Sequence, residues 1–120
     1  MNYSISLMAM FFGLGLEEPL DFNRDIRPIL SENCFYCHGP DKSHREAGLR
    51  LDDRESAIKK KAISAGDSKN SLLTERIFSK DADTLMPPPD SRKKLSEDQK
   101  QILKKWIVQG AKYSMHWAYE

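Results

Sequence analysis

The apolar residues near the C-terminal end of the chain recur at intervals of three and four residues, which is the spacing of a helix with one buried face. Ser96 and Gln99 form the sequence pattern of a capping box immediately before this stripe, and Leu95 lies just outside it. Gly110 follows the stripe in the position where helices commonly stop. The sequence therefore predicts a terminal helix. Its apolar stripe consists of Ile102, Leu103, Trp106 and Ile107.

Two shorter helices are predicted earlier in the chain. The first begins near Asp25 as N-cap, with Pro28 in the first turn, where a missing N–H does no harm. The second covers about residues 68–78, with Asp67 as its cap. The stretch GLRLDD, residues 48–53, alternates like a strand, and residues 62–65 are its candidate partner. The expected fold class is therefore mostly α, with long loops and, as an open alternative, one small β-hairpin.

The first 16 residues differ from the rest of the chain because they contain no charged side chain. Their apolar stretch, residues 5–16, is too short for an ordinary membrane span and is typical of the core of a secretory signal. No Lys or Arg precedes the stretch, and no Ala-x-Ala site follows it. We predict an apolar leader over residues 1–20, a signal peptide or its remnant, and one domain over residues 21–120. An ordered apolar segment docked on the domain is the alternative.

The composition limits the classes of partner. The formal net charge is +1, and acidic and basic residues are mixed without the basic stripe that a nucleic-acid surface needs. We therefore expect no nucleic-acid partner, and membrane contact only through an uncleaved leader. Apolar residues make up 39% of the chain and charged residues 31%, so the domain is slightly short of hydrophobic material for its core. A large buried cofactor would supply some of it.

The segment CFYCH, residues 34–38, carries the most specific chemistry. Cys34 and Cys37 are the only cysteines in the chain, and His38 follows them directly. Cys-x-x-Cys-His is the attachment signature of c-type haem. In that chemistry the two thiols form thioether bonds to the porphyrin vinyl groups, and the adjoining imidazole becomes the proximal ligand of the iron.

Three other interpretations of CFYCH remain open from the residues alone. A structural zinc site would need a second ligand pair, which His44 and His116 do not form. A thioredoxin-like redox pair belongs after a buried strand, and no Val/Ile-rich strand precedes Cys34. A plain disulfide leaves His38 unexplained.

The irregular segment of residues 80–94 supplies a candidate second axial ligand. Met86 lies in the TLMPPP sequence, where three prolines stiffen the chain. Methionine opposite histidine is a common ligand pair in electron-transfer haem proteins. We therefore predict that His38 and Met86 ligate the iron. The alternatives for the sixth position are His44, Met115 and His116, and an ordinary core-filling role for Met86 also stays open.

Several side chains are candidate donors to the haem propionates. Arg50, Arg92 and Trp106 carry suitable N–H groups, although surface charge and core packing also explain them. A carbonyl from the loop of residues 39–51 is expected to accept the second ring N–H of His38, because metal-bound imidazoles are normally oriented in this way.

These motifs together resemble the planctomycete-type cytochrome c domain, a branch of the small monohaem cytochromes c. The resemblance extends from about Asp21 to Tyr119. It implies a cytochrome c fold, in which a few helices surround one covalently bound haem, with Cys34, Cys37, His38 and Met86 in the roles given above. The motifs that carry it, in family order, are DFNRDIRPILSENCFYCHGPD, GLRLD, SAGDSKNSLLTERI, LMPPPD and WIVQGAKYSMHWAY.

The resemblance also implies function and context. It implies single-electron transfer rather than enzymatic chemistry, in the periplasm or another compartment outside the cytoplasm. The alternative is a haem enzyme or ligand sensor with an open or labile sixth site. The expected partners are a redox protein or covalently linked C-terminal domains, because HWAY resembles the junction at which family chains continue. The chain is then either a piece of such a longer protein or a stand-alone version.

Overall fold

The computed structural model describes residues 19–115, so most of the predicted leader lies outside the described residues. Between residues 19 and 115 the chain forms helices joined by long loops, and no strand occurs there. A π-helical turn, Phe22–Ile26, runs directly into the first α-helix. The α-helices are α1 (Arg27–Asn33), α2 (Phe35–His38), α3 (Arg54–Lys59), α4 (Leu72–Ile77) and α5 (Glu97–Val108), with short 3-10 turns at Lys42–His44 and Pro89–Ser91.

The terminal helix α5 confirms its prediction. Ser96 Oγ accepts from the Gln99 backbone N–H at 3.1 Å, and Gln99 Oε1 accepts from the Ser96 N–H at 2.9 Å, so the capping box is complete. Gly110 has φ +107°, the left-handed conformation that ends helices with little strain. The apolar stripe faces the core, where Leu103, Trp106 and Ile107 are buried.

The N-terminal helical segment begins earlier than predicted. Asp21, not Asp25, is the cap, and its carboxylate accepts from the Arg24 backbone N–H at 2.7 Å. Asp25 instead folds back and accepts from the Asp21 N–H at 2.8 Å. The two carboxylates thus accept hydrogen bonds from backbone N–H groups of the same turn. The helical segment begins four residues upstream of the predicted start. Pro28 does lie in the first turn of α1, as expected.

Helix α4 is shorter than the predicted range of residues 68–78. Asp67 caps a preceding turn rather than the helix, since its carboxylate accepts from the backbone and side-chain amides of Asn70. The helix then starts after Ser71, whose buried hydroxyl bonds to the carbonyl of Asp67 at 2.8 Å. The side-chain bonds of this turn replace the first helical turn that the sequence pattern suggested.

The predicted β-hairpin is wrong for these residues. Residues 48–53 do not pair with residues 62–65; the Leu51 N–H donates to the His38 carbonyl at 2.7 Å instead. The second segment pairs with the start of α4, where the Leu73 N–H donates to the Ala62 carbonyl at 2.8 Å. Gly66 makes a turn after the second segment, with φ +81° and a hydrogen bond from the Asp67 N–H to the Ser64 carbonyl at 2.9 Å.

Residues 111–115, which we call the C-terminal strap, cross the N-terminal helical segment and close the core. Tyr113 of the strap stacks on Phe22 with ring centroids 4.6 Å apart and lies 5.2 Å from the Trp106 ring. Side chains from distant parts of the chain bind the strap carbonyls, so its path is fixed. These bonds join Arg54 to Ala111, Trp106 to Lys112, Arg27 to Ser114 and Asn23 to Met115.

Candidate functional site

The CFYCH segment lies where α1 gives way to α2. Cys34 ends α1, with its N–H bonded to the Leu30 carbonyl at 2.7 Å, and its own carbonyl accepts from the His38 N–H at 2.8 Å. Both Cys34 and Cys37 are free thiols and are partly buried. One helical turn therefore holds the two thiols and the imidazole, as the attachment chemistry requires.

The Cys34 thiol is unsuited to act as a redox nucleophile. Burial raises the pKa of Cys34 to about 12, and the charge of the neighbouring Cys37 acts in the same direction. Reactive cysteines of thiol–disulfide enzymes have lowered pKa values, because the thiolate is the attacking form. The environment of Cys34 thus disfavours the thioredoxin-like interpretation.

The described residues also disfavour the zinc interpretation. Within residues 19–115, no group of three or more His, Cys, Asp or Glu side chains is placed to hold a metal ion. A structural zinc site requires four such ligands. The donors that converge at CFYCH are two thiols and one imidazole, and this set fits a c-type haem.

Burial of the His38 imidazole favours its neutral form. Burial lowers the pKa of His38, while the backbone of Leu49 and Glu46 pulls it in the opposite direction, which places both residues beside the ring. Nδ1 is buried without a hydrogen bond. A buried ring N–H is costly without an acceptor, so small movements of the loop that bring a carbonyl onto Nδ1 would be favourable. That a carbonyl of the loop of residues 39–51 accepts from the ring remains a prediction.

Two backbone bonds fold that loop back onto the CFYCH turn. The Glu46 N–H donates to the Cys37 carbonyl at 2.8 Å, and the Leu51 N–H donates to the His38 carbonyl at 2.7 Å. Arg45 then closes the beginning of the loop, because its guanidinium binds the carbonyls of Gly39 and Pro40 at 3.1 and 3.0 Å. The loop is thus fixed at both ends around His38.

Gly39 is required by close approach of the chain. A Cβ built at this position would lie 2.2 Å from the carbonyl oxygen of Phe35, well inside the distance that real side chains tolerate. Its φ of −131° is accessible to any residue, so contact rather than backbone strain demands glycine. The turn at the end of CFYCHG can be this tight only because residue 39 has no side chain.

His44 lies on the CFYCH side of the loop. Its ring stacks on Tyr36 with centroids 4.4 Å apart, and its Nε2 lies 3.7 Å from an Asp41 carboxylate oxygen. Tyr36, between the two cysteines, is 67% exposed. The His44 ring is thus held against Tyr36 and Asp41, and these contacts do not favour it as the sixth ligand.

Met86 lies in the loop between α4 and the Pro89–Ser91 turn, as the sequence predicted. It is half-buried, and its N–H donates to the Arg76 carbonyl at the end of α4 at 3.1 Å. This bond and the following prolines restrain the backbone on both sides. A cavity of about 340 Å³ opens between α4 and this loop, and it contains none of the CFYCH residues. The ligand role of Met86 remains a prediction.

Two of the three candidate propionate donors already have partners within the protein. The Arg50 guanidinium pairs with the Asp52 carboxylate at 2.6 Å, and this pairing raises the pKa of Arg50. Trp106 is buried, and its Nε1–H donates to the Lys112 carbonyl at 2.9 Å. Arg92 is exposed in the left-handed conformation, with φ +65°. Binding of propionates by Arg50 or Trp106 would replace these bonds, and for both residues it remains a prediction.

Of the other candidates for the sixth position, Met115 has a 64% exposed side chain and a carbonyl bound by Asn23, whereas His116 lies outside the described residues.

Sequence reasoning did not identify two residues that act on the loop around His38. Arg45 was one charge in a mixed run, and no local pattern revealed its bonds. Tyr113 donates to the Leu51 carbonyl at 2.7 Å across 62 residues of sequence.

The mostly helical fold of the described residues and the CFYCH turn are consistent with a cytochrome c. The comparison with family models makes this specific, since the model of planctomycete cytochrome C matches residues 34–90, a range that includes both cysteines, His38 and Met86. Over residues 34–90 the chain is thus similar to planctomycete cytochrome C, and this similarity supports haem-based electron transfer at the coarse level of that family. Neither the curated proteins nor the solved structures that were compared gave a match to the chain.

Proposed function

We propose that this protein carries single electrons through one covalently attached c-type haem, with His38 and Met86 as axial ligands. The observation that carries the proposal is the geometry of the CFYCH turn, in which two free thiols and a partly buried imidazole share one helical turn. Neutral imidazole is the form that binds a metal. An orienting carbonyl from the loop of residues 39–51 would leave Nε2 as the ligating atom.

Each residue then has a defined task. Cys34 and Cys37 would hold the cofactor, and His38 would ligate its iron. Met86 supplies a neutral, soft sulfur from a restrained loop. When bound, haem provides an iron that accepts and releases one electron. A His/Met pair raises the reduction potential relative to His/His. With both axial positions occupied by side chains, substrate would not reach the iron, and the domain would carry electrons without bond chemistry.

The setting proposed for this function is outside the cytoplasm, with export through the apolar leader. Support comes from the cytochrome c class and from the leader pattern in residues 5–16. Within residues 19–115, every helix is too short or too polar to cross a bilayer. The proposed electron partner is a redox protein or a covalently linked domain.

Covalent attachment is tested with protein matured by the cytochrome c assembly machinery. Denaturing electrophoresis followed by haem staining should show haem on the wild-type chain. Cys34→Ala and Cys37→Ala should each leave at most one thioether bond, and the double variant should carry none. Loss of all haem from the denatured wild type would refute the proposal.

Axial ligation is tested with two methionine variants. Ferric wild type should show the sulfur-to-iron charge-transfer band, and Met86→Ala should lose it, bind added ligands and have a lower reduction potential. Met115→Ala is the matched control, because it removes an exposed thioether and should keep the band. If Met86→Ala retains the band, another sulfur is the ligand. Ready binding of carbon monoxide by ferrous wild type would favour the enzyme or sensor function instead.

A further inference from the structure

The buried residue Leu51 joins the proximal histidine to the C-terminal strap. Its N–H donates to the His38 carbonyl at 2.7 Å, and its own carbonyl accepts from the Tyr113 hydroxyl at 2.7 Å. Leu51 is only 2% exposed, so water cannot easily replace either bond. Two consecutive hydrogen bonds therefore connect Tyr113 to His38.

Tyr113 is itself firmly held. Its ring stacks on Phe22 at 4.6 Å and contacts Trp106 at 5.2 Å, while the adjacent Lys112 carbonyl accepts from the Trp106 indole. Burial raises the pKa of the Tyr113 phenol, which keeps its proton available for donation. The donor is thus placed by the aromatic core rather than by the loop that it binds.

The position of Leu51 matters for the imidazole as well as for the backbone. Leu49, two residues earlier, is one of the backbone neighbours of the His38 ring. Arg45 holds the start of the same loop at Gly39, and the two hydrogen bonds of Leu51 hold its end. A bond that fixes Leu51 therefore also restrains the backbone beside the His38 ring.

We propose that Tyr113 is a positioning residue for the proximal ligand, which it orients through Leu51 from the C-terminal strap. This inference rests on the proposed haem function. A loop carbonyl that accepted a hydrogen bond from His38 Nδ1–H would make the imidazole a stronger donor to a metal. If that bond is loosened, His38 stabilises ferric iron less, and the reduction potential rises.

The variant that tests this is Tyr113→Phe in the matured, haem-bearing protein, since it keeps the ring and removes only the hydroxyl. Arg27→Met is the matched control, because it removes the bond from Arg27 to the Ser114 carbonyl in the same strap without touching Leu51. Both variants should unfold more easily. Only Tyr113→Phe should raise the reduction potential and speed exchange of the His38 Nδ1 proton, by about tenfold for the loss of one hydrogen bond.

The inference is overturned if Tyr113→Phe and Arg27→Met leave the potential and the Nδ1 proton equally unchanged. A second measurement on the wild type guards against poor folding of the variant: the Leu51 amide should exchange slowly with solvent, and exchange as fast as in exposed loops would also overturn it. Failure of the wild type to carry haem would refute the proposed function instead. The exchange of the Leu51 amide would then still decide whether the connection exists.

Discussion

Replacement of Gly39 by alanine tests the close packing of the CFYCHG turn. The new Cβ would lie 2.2 Å from the Phe35 carbonyl oxygen and 3.0 Å from its carbonyl carbon. Because real Cβ contacts essentially never fall below 3.0 Å, about 0.8 Å of extra separation must be created. The atom in the way is backbone between the two cysteines, which cannot turn aside as a flexible side chain could.

The expected cost follows from this overlap. Forcing one extra carbon into a tightly packed site typically costs about 1–3 kcal/mol, and we expect Gly39→Ala to lower the free energy of unfolding by that amount. The displaced carbonyl lies in α2, between Cys34 and Cys37, so the relative placement of the two thiols should change. Haem attachment should therefore become less complete.

Two measurements on matured protein check this expectation: denaturant unfolding, and haem content per polypeptide. Gly66→Ala is the matched control, because no atom lies within 4 Å of its built Cβ but its φ is +81°. It should lose about 1 kcal/mol from backbone strain and keep its full haem content. The reasoning is refuted if Gly39→Ala unfolds like the wild type and carries as much haem.

Three further predictions concern the scaffold. Ser96→Ala removes the capping box with Gln99 and should cost about 1 kcal/mol in denaturant unfolding; an unchanged midpoint would contradict the cap. Leu103→Ala empties a fully buried site and should cost about 2–5 kcal/mol in the same assay, and a cost below that of Ser96→Ala would contradict its core role. Hydrogen bonding from Arg24 lowers the pKa of Asp25. The ionised Asp25 carboxylate therefore stabilises the folded state at pH values above the ordinary pKa of an aspartate. This stabilisation is lost as the pH falls through the lowered pKa of Asp25. Asp25→Asn should therefore reduce the loss of unfolding free energy at acid pH. An unchanged pH dependence would contradict the role given to the Asp25 carboxylate.

Local signals explain how far the sequence could predict the fold. Helix α5 was predicted correctly because Ser96, Gln99 and Gly110 act within a few residues of one another. The alternation in GLRLDD was misleading, since Leu49 and Leu51 pack toward the core beside CFYCH without any partner strand. A period of two shows which side chains are buried, but it does not show where the backbone hydrogen bonds go.

The candidate site divides in the same way. The attachment chemistry is contained in five consecutive residues, so CFYCH could be interpreted without a structure. The residues that support His38 lie outside this segment. Arg45 binds the Gly39 carbonyl within the loop that follows CFYCH, and Tyr113 binds Leu51, which lies 62 residues earlier in the sequence. Such bonds depend on tertiary packing, which a single sequence does not display.

The crossing of the strap over the N-terminal segment has a consequence for protein engineering. The Leu20 N–H is bound by the Gln109 side chain at 2.8 Å, and the Asn23 side chain binds the Met115 carbonyl at 2.8 Å, so chain entry and chain exit run side by side. Domains with adjacent ends tolerate circular permutation and insertion into host loops. Residues 19–115 are thus suited to transfer into another protein or to circular permutation. A short linker could join their two ends without changing the surroundings of CFYCH.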